Sequence, residues 1–316
     1  MNKCKITILT NPVGFRWNVR NFIRRYFLKR PLYGGHIAVT RSLIEGFQKI
    51  GFDEYNYQPH SEKDIAEHVH VLAGIKTLEY AIKLKREGKI KRLTAGPNVV
   101  VFSDDFNGII ASEEIDLYLQ PSEWAARCHI RYEKSLEGRC TSWPAGIDLN
   151  KYPIKKKSNT NRVLIYHKDE GDQFLYRVDY LLRRKGYETV IIKYGHYMLD
   201  DYIRALEDTD FAVFIARQES QGLCLVEAWA MNVPTFCFEP NYYRWTSPNT
   251  EREVAGDIST APYLNDQNGR TWFELSELEA LLDQMDELLD GMHPREWVEK
   301  NMTDEVCAKL FLERVL

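Results

Sequence analysis

Residues 211–239 read FAVFIARQESQGLCLVEAWAMNVPTFCFE, and the order of apolar and polar runs in this stretch decides the fold. Phe211 to Ile215 is a continuous apolar run of a length suited to a buried strand. Arg217 to Gly222 is a polar loop, Leu223 to Met231 reads as a helix, and Val233-Pro234 leads into a second strand at Thr235 to Phe238. Strand, loop, helix and strand in this order form the repeating unit of a parallel sheet with its helices packed on the faces.

Two carboxylates mark the unit. Glu219 lies in the loop and Glu227 on the helix, separated by seven residues. At about 1.5 Å of rise per helical residue, and with the loop added, the two groups lie on the order of 10 Å apart. Between them is a helix start, near Gly222 and Leu223, whose first amides have no carbonyl to bond and whose dipole favours an anion. A carboxylate, an anion site and a second carboxylate match the length of a nucleotide sugar. Glu219 would accept bonds from sugar hydroxyls, the amides would hold the diphosphate, and Glu227 would accept the ribose hydroxyls. The same spacing also fits an ordinary βαβ unit with Glu219 capping the helix and Glu227 in solvent. Against that reading, Glu227 adjoins Ala228, Trp229 and Ala230, beside an apolar helix face where an unpaired charge is costly.

The pattern extends outward in both directions. Strand-like runs recur at Lys5 to Leu9, Val99 to Phe102, Leu117 to Gln120, Arg162 to Tyr166 and Thr189 to Lys193. Helical stretches alternate with them at His36 to Ile50, Leu72 to Glu87, Glu123 to Glu137, Asp172 to Lys185 and Leu199 to Glu207. Asp148 to Thr160, DLNKYPIKKKSNT, is polar and basic and reads as a junction between two α/β halves. The expected division is an N-terminal domain over 1–149, a C-terminal domain over 161–293, and a helical tail over 294–316 packing back on the N-terminal domain. Ligands of such sheets bind beyond the carboxyl ends of the strands, here in the cleft between the halves.

Composition sets the outer bounds. The chain has 316 residues, enough for two domains of roughly 150. With 42 Lys and Arg against 46 Asp and Glu, the formal charge is −4, which argues against a nucleic-acid binder. Six cysteines are scattered without a CxxC, so neither a metal cluster nor a disulfide framework is expected and a reducing compartment fits. The N-terminus lacks the apolar stretch of a signal peptide and no run of about 18 apolar residues occurs, so the expected location is cytoplasmic.

The stretch ESQGLCLVEAWAMNVPTFCF resembles the signature of retaining glycosyltransferases of the two-domain GT-B fold, the large group known as family 4. Other segments agree in order. Gly34-Gly35-His36 followed by a helix and Gly51 is similar to the family's N-terminal glycine loop. Pro121 to Trp124 and Pro144 to Asp148 are similar to its later steps, and Tyr194-Gly195 lies where the family has a strand-end glycine before its nucleobase loop. The resemblance covers roughly residues 30–316 and implies two Rossmann-like domains facing across a cleft.

It also implies a set of roles. The donor site would comprise Gly34, Gly35, Lys168, Tyr194, Gly195, Glu219, Ser220, Gln221, Gly222, Leu223 and Glu227, with Lys168 neutralising the donor phosphates. Catalytic roles would fall to Glu219, Lys168, His70 and Asp104, with Asp104 or the neighbouring Asp105 meeting acceptor hydroxyls. His70 reads equally as a core histidine and Asp104 equally as a helix cap. The family's second basic residue, five or six positions after the first, is missing from DEGDQFLYR, with only Arg177 further on. No metal and no cofactor are implied, the nucleotide diphosphate sugar being a co-substrate. The acceptor would be a hydroxyl of a glycan, a lipid or a small molecule. The alternatives are another GT-B enzyme, such as a nucleotide-sugar epimerase, and a non-catalytic domain that binds sugar nucleotides.

One segment stands apart. Phe15 to Arg30, FRWNVRNFIRRYFLKR, has six basic residues and no acid, with apolar residues at helical spacing. It either rests on an anionic membrane surface, such as the inner membrane face, or meets a phosphorylated acceptor lipid, or packs its apolar side on its own domain.

Overall fold

A computed structural model of the protein describes residues 4–11, 35–154, 160–168, 170–246, 251–255 and 257–316. The basic segment Phe15 to Arg30, Gly34 and part of the 148–160 junction lie outside the described residues.

The short apolar runs assemble into two parallel sheets. The first contains β1 (Ile6–Leu9), β2 (Tyr55–Tyr57), β3 (His68–Ala73), β4 (Arg92–Asn98), β5 (Leu117–Gln120) and β6 (Cys140–Ser142). Its order is β2-β1-β3-β4-β5-β6 and every pairing is parallel. The second contains β7 (Arg162–His167), β8 (Glu188–Lys193), β9 (Phe211–Ile215) and β10 (Thr235–Phe238). A hairpin of β11 (Tyr242–Thr246) and β12 (Glu251–Ala255) follows, and then β13 (Gly269–Trp272), which completes the order β13-β10-β9-β7-β8. A buried strand that needs a covered face on both sides explains why β1, β7, β9 and β10 read as unbroken apolar runs. Helices α1 (Gly35–Lys49), α2 (Ile75–Arg86) and α3 (Glu123–Tyr132) belong to the first half of the chain. Helices α4 (Asp172–Arg184), α5 (Leu199–Glu207), α6 (Leu223–Ala230), α7 (Leu275–Leu282), α8 (Met285–Asp290), α9 (Pro294–Asn301) and α10 (Asp304–Val315) follow.

Two sequence expectations are corrected here, and a third gains detail. The strand expected at Val99 to Phe102 is instead β4, immediately upstream, because Gly96-Pro97 reads as a turn but lies inside the strand. At Gly96, with φ of +104°, a Cβ would come within 2.0 Å of the Leu119 carbonyl oxygen, so only glycine lets β4 approach β5 at this point. Leu72 is not a helical residue: Leu72 and Ala73 end β3, and α2 starts after Gly74. The C-terminal tail is two helices, with Thr303 capping the second by accepting a bond from the Val306 amide.

The last helix lies on α1. Ala308, Phe311 and Val315 share an apolar cluster with Val39, Leu43 and Phe47, and the Trp143 indole donates to the Cys307 carbonyl at 2.8 Å. Asp304, fully buried at the start of α10, accepts from Arg41 at 2.9 and 3.2 Å and from Lys49 at 3.1 Å. The two sheets meet through a second polar seam. Tyr263 Oη donates to the Pro121 carbonyl at 2.6 Å, the Trp124 indole donates to the Asp257 carbonyl at 2.8 Å, and Arg127 and Arg131 pair with the Asp257 carboxylate at 3.2 and 2.9 Å.

Candidate active site

Strands β7 and β9 are neighbours in the second sheet, with His167 and Ile215 as register partners, and the Lys168 amide donates to the Ile215 carbonyl at 2.8 Å. The chain therefore leaves both strands at the same edge, the carboxyl end. Lys168 comes off β7 and Arg217 to Glu219 come off β9. Their side chains meet: Lys168 Nζ lies 2.6 Å from Glu219 Oε1, with both groups largely buried. The ammonium also lies 4.8 Å from the centre of the Tyr194 ring, within range of a cation–π attraction. Tyr194 is placed by its amide, which donates to the His167 carbonyl at 2.9 Å, and Gly195 then turns the chain with φ of +76°.

A second ion pair stands beside the first. Arg217 Nε donates to Glu170 Oε1 at 3.0 Å and Nη2 to Oε2 at 3.4 Å, a two-point arrangement suited to a planar guanidinium. The sequence reading looked for a second cation after Lys168 and found only Arg177. The structure leaves Arg177 exposed on α4 and brings Arg217 to the strand ends instead. What the linear search missed is that β9 is the neighbour of β7, so a basic residue just past β9 is close to one just past β7.

The loop between the carboxylates is set by its backbone. The Glu219 amide donates to the Ser259 carbonyl at 3.0 Å. Gly222, with φ of +75° and ψ of 57°, is the N-cap of α6 in the left-handed region that glycine tolerates. The Leu225 and Val226 amides both donate to its carbonyl, at 3.0 and 3.2 Å. No side chain caps the helix, and its first turn carries no acidic residue. The amides ahead of Leu225 have no carbonyl within the helix to bond. Ser220 is exposed. Gln221 is buried and grips the first half of the chain at one point: its Oε1 accepts the Ala145 amide at 3.1 Å and its Nε2 donates to the Ala145 carbonyl at 2.6 Å. Leu223 packs against the apolar cluster around Leu119, Trp143 and Ala145. The loop thus lies in the seam between the two sheets, and what Gln221 offers a ligand is its backbone.

Glu227 is reached along α6. Its carboxylate is mostly buried, and burial pushes its pKa up to about 7, while a hydrogen bond from Tyr152 and the charge of Arg41 pull it back down. Tyr152 Oη donates to Glu227 Oε1 at 3.0 Å. Around the helix start stand Tyr166, Tyr197 and Tyr202: the Tyr166 and Tyr197 hydroxyls are 3.2 Å apart, and Tyr202 Oη donates to the Cys224 carbonyl at 2.7 Å. Burial also drives the Cys224 thiol well above its ordinary range, so it is neutral.

The remaining sequence candidates are placed differently. His70 is fully buried in β3; its Nδ1 is 2.8 Å from Thr94 Oγ1, its Nε2 is 3.0 Å from the Gly96 carbonyl, and its ring meets Phe311 edge-on. With both nitrogens engaged and no edge exposed, His70 is a core histidine, and its expected catalytic role is corrected on that ground. Asp104 is exposed after β4 with no side-chain capping bond, while its neighbour Asp105 is buried and holds the turn by accepting the Phe102 amide at 2.9 Å. Gly35 opens α1 and is exposed. Among the described residues, no group of three or more His, Cys, Asp or Glu side chains is placed to hold a metal ion, and no helix is long and apolar enough to cross a membrane.

Two parallel α/β domains that face each other across this loop define the GT-B fold, and solved structures share it. No family model and no curated protein matches the chain. It is similar to sucrose-phosphate synthase (tll1590) from Thermosynechococcus elongatus, at 11% identity and a TM-score of 0.59 over 98% of each chain. It is likewise similar to the lipopolysaccharide outer core galactosyltransferase WaaB in its apo form, at 13% identity and a TM-score of 0.57 over 98% of each. A third is Anabaena Alr3699/HepE in complex with UDP and glucose, at 11% identity and a TM-score of 0.55 over 98% of this chain and 99% of that one.

Proposed function

We propose that this protein is a glycosyltransferase that moves a sugar from a nucleotide diphosphate sugar to a hydroxyl of a glycan, lipid or small-molecule acceptor, with retention at the anomeric carbon. The observation that carries this reading is the succession of groups from the carboxyl edge of the second sheet into α6: the Lys168–Glu219 pair, the uncapped start of α6 and the mostly buried Glu227. Three of the solved structures that share the fold are a sucrose-phosphate synthase, a galactosyltransferase and a protein holding UDP and glucose, which agrees with that reading.

In this reading the donor diphosphate lies over the amides of the Gly222 turn, with its charge met by Lys168 and by Arg217. Glu219 accepts hydroxyls of the transferred sugar and Glu227 accepts those of the ribose. Tyr194 stands at the nucleobase end. Fixed cations and amides aimed at the leaving phosphate are what lowers the barrier, because they meet negative charge where it develops and need no reorganisation. Both cations are paired with carboxylates, Lys168 with Glu219 and Arg217 with Glu170. Donor binding therefore exchanges partners rather than adding bare charges. The acceptor approaches from the first sheet, near the exposed Asp104, in cytoplasm or at an inner membrane face. No metal ion takes part.

The test is a calorimetric titration with UDP, GDP, ADP and their hexose conjugates, followed by an assay of donor turnover with and without sugar acceptors. Binding of one nucleotide diphosphate with acceptor-dependent release of it supports the reading. Binding without turnover supports a non-catalytic sugar-nucleotide domain, turnover to an isomerised donor supports an epimerase, and no binding at all rejects the donor site.

A further inference from the structure

Tyr152 lies in the chain between the two sheets, outside every motif of the sequence reading, yet it is fastened to α6 at both ends. Its hydroxyl donates to Glu227 Oε1 at 3.0 Å. Its carbonyl accepts from Arg295 Nη1 at 2.9 Å, and the same nitrogen donates to the Ala230 carbonyl at 2.5 Å, in the last turn of that helix. The ring is buried in the apolar cluster that also holds Tyr202, Leu225 and Trp229. An ionised carboxylate offers about four acceptor positions on two oxygens. The tyrosine takes one position on Oε1, and Oε2 has no hydrogen bond among the described residues.

We propose that Tyr152 is a positioning residue for the ribose end of the donor: by holding Glu227 through Oε1 it fixes the carboxylate plane and presents Oε2 to the ribose hydroxyls. The proposal rests on the donor reading above. Its physical basis is preorganisation. A glutamate side chain free to rotate must be ordered when the ligand binds, and a carboxylate already held by a rigid aromatic arm is not. The arm keeps its proton, because burial and the charge of Glu227 both push the Tyr152 phenol above its ordinary range. Among the described residues, the other titratable groups that feel the charge of Glu227 or act on it include Arg41 of α1, Tyr197 of the turn after β8, Tyr202 of α5 and Cys224 of its own helix. Among the described residues, only Tyr152 donates to the carboxylate.

The experiment measures the affinity of the full chain for UDP, with GDP and ADP as alternatives, in wild type, Tyr152→Phe, Glu227→Gln and the double variant. Each protein is also titrated with the 2′,3′-dideoxy form of the same nucleotide. Tyr152→Phe should weaken the ribose nucleotide about tenfold. It should have almost no effect on the dideoxy form, and none beyond that of Glu227→Gln when the two are combined. The pH at which affinity is half lost should move upward, since the hydrogen bond that favours the charged carboxylate is gone. Equal loss for both nucleotides, or full additivity with Glu227→Gln, would show a merely structural role and overturn the proposal. Both ligands are measured on the same protein, so partial unfolding lowers both binding signals together and does not mimic the expected pattern. If wild type binds none of the nucleotides, the donor reading fails and the proposal with it. If wild type binds and Tyr152→Phe is unchanged, the proposal alone fails.

Discussion

Glu219 and Glu227 have seven residues between them in sequence but sit in opposite electrostatic surroundings. Glu219 hangs in a loop against an ammonium at 2.6 Å. Glu227 is on a helix face, mostly buried, with a neutral phenol as its only hydrogen-bond donor among the described residues and a pKa raised to about 7. The first is held by a cation that, in the proposed reading, takes up the donor phosphate as well. The second is held by a phenol that carries no charge to share. The difference teaches that one end of the proposed donor site is built to rearrange on binding and the other to stay still.

The largest effect should come from the end that rearranges. Lys168→Met or Glu219→Gln should each lower donor turnover by about 100-fold or more, in the range found when one preorganised partner of a developing charge is removed. If the pair served folding alone, the double variant, which removes both charges, would recover activity. Turnover should instead remain low while thermal stability recovers relative to Lys168→Met. Steady-state kinetics beside thermal unfolding of the three variants separates these outcomes.

Glu227→Gln should act at the static end and do two opposite things. Nucleotide affinity should fall about tenfold, because one charge-assisted acceptor is lost. The free protein should become more stable at alkaline pH. A carboxyl whose folded pKa is raised to about 7 contributes stability that is complete below its ordinary pKa of 4.5 and is lost as pH rises through 7. The variant should therefore gain about 1–3 kcal/mol over wild type at pH 8 and nothing at pH 4. Urea unfolding at the two pH values checks this; a gain that does not change with pH would mean that Glu227 is solvated and the contrast between the carboxylates is false. Arg217→Gln belongs to the mobile end and should weaken donor binding by about fivefold, with Glu170→Gln tightening it by releasing the guanidinium. Unchanged affinity in both would leave Lys168 as the lone phosphate cation of the two.

How much of this was legible in the sequence follows from the range of the interactions. The βαβ unit of Phe211 to Phe238 was legible because each of its parts has a local cause: an apolar run for a strand covered on both faces, a glycine for a left-handed turn, an apolar helix face. The loop carboxylate and the helix carboxylate were legible for the same reason. Arg217 was not, since its closeness to Lys168 depends on which strands are neighbours, and strand order is a property of the whole sheet. Tyr152 carried no signal at all, because its link to Glu227 crosses 75 residues. The strands β2 and β6, each of three residues, were too short for a periodicity to register. His70 stayed open between a catalytic and a core reading for a related reason: the sequence of HVHVLA does not say that both faces of the strand are covered.

That covered strand supplies the smallest expected effect and the converse of Glu227. His68 and His70 both lie near Thr94, with His68 Nε2 at 3.2 Å from its hydroxyl. Burial, with the charge of Arg92 added, holds the His68 pKa down at about 4, and burial with the neighbouring His68 holds His70 at about 3. A histidine whose folded pKa is depressed contributes stability that is present above 6.5 and lost as pH falls toward the folded value, since the unfolded chain takes up the proton first. Acid should therefore weaken the first sheet just where it relieves Glu227 in the second. His68→Gln, which cannot be protonated, should reduce the loss of stability between pH 7 and pH 5.5 by about 1 kcal/mol while leaving nucleotide affinity at pH 8 as it is. Denaturant unfolding at the two pH values measures the difference. An unaltered slope would place His68 in contact with water, and a matching fall in nucleotide affinity would join the first sheet to the donor site by a route that the geometry does not contain.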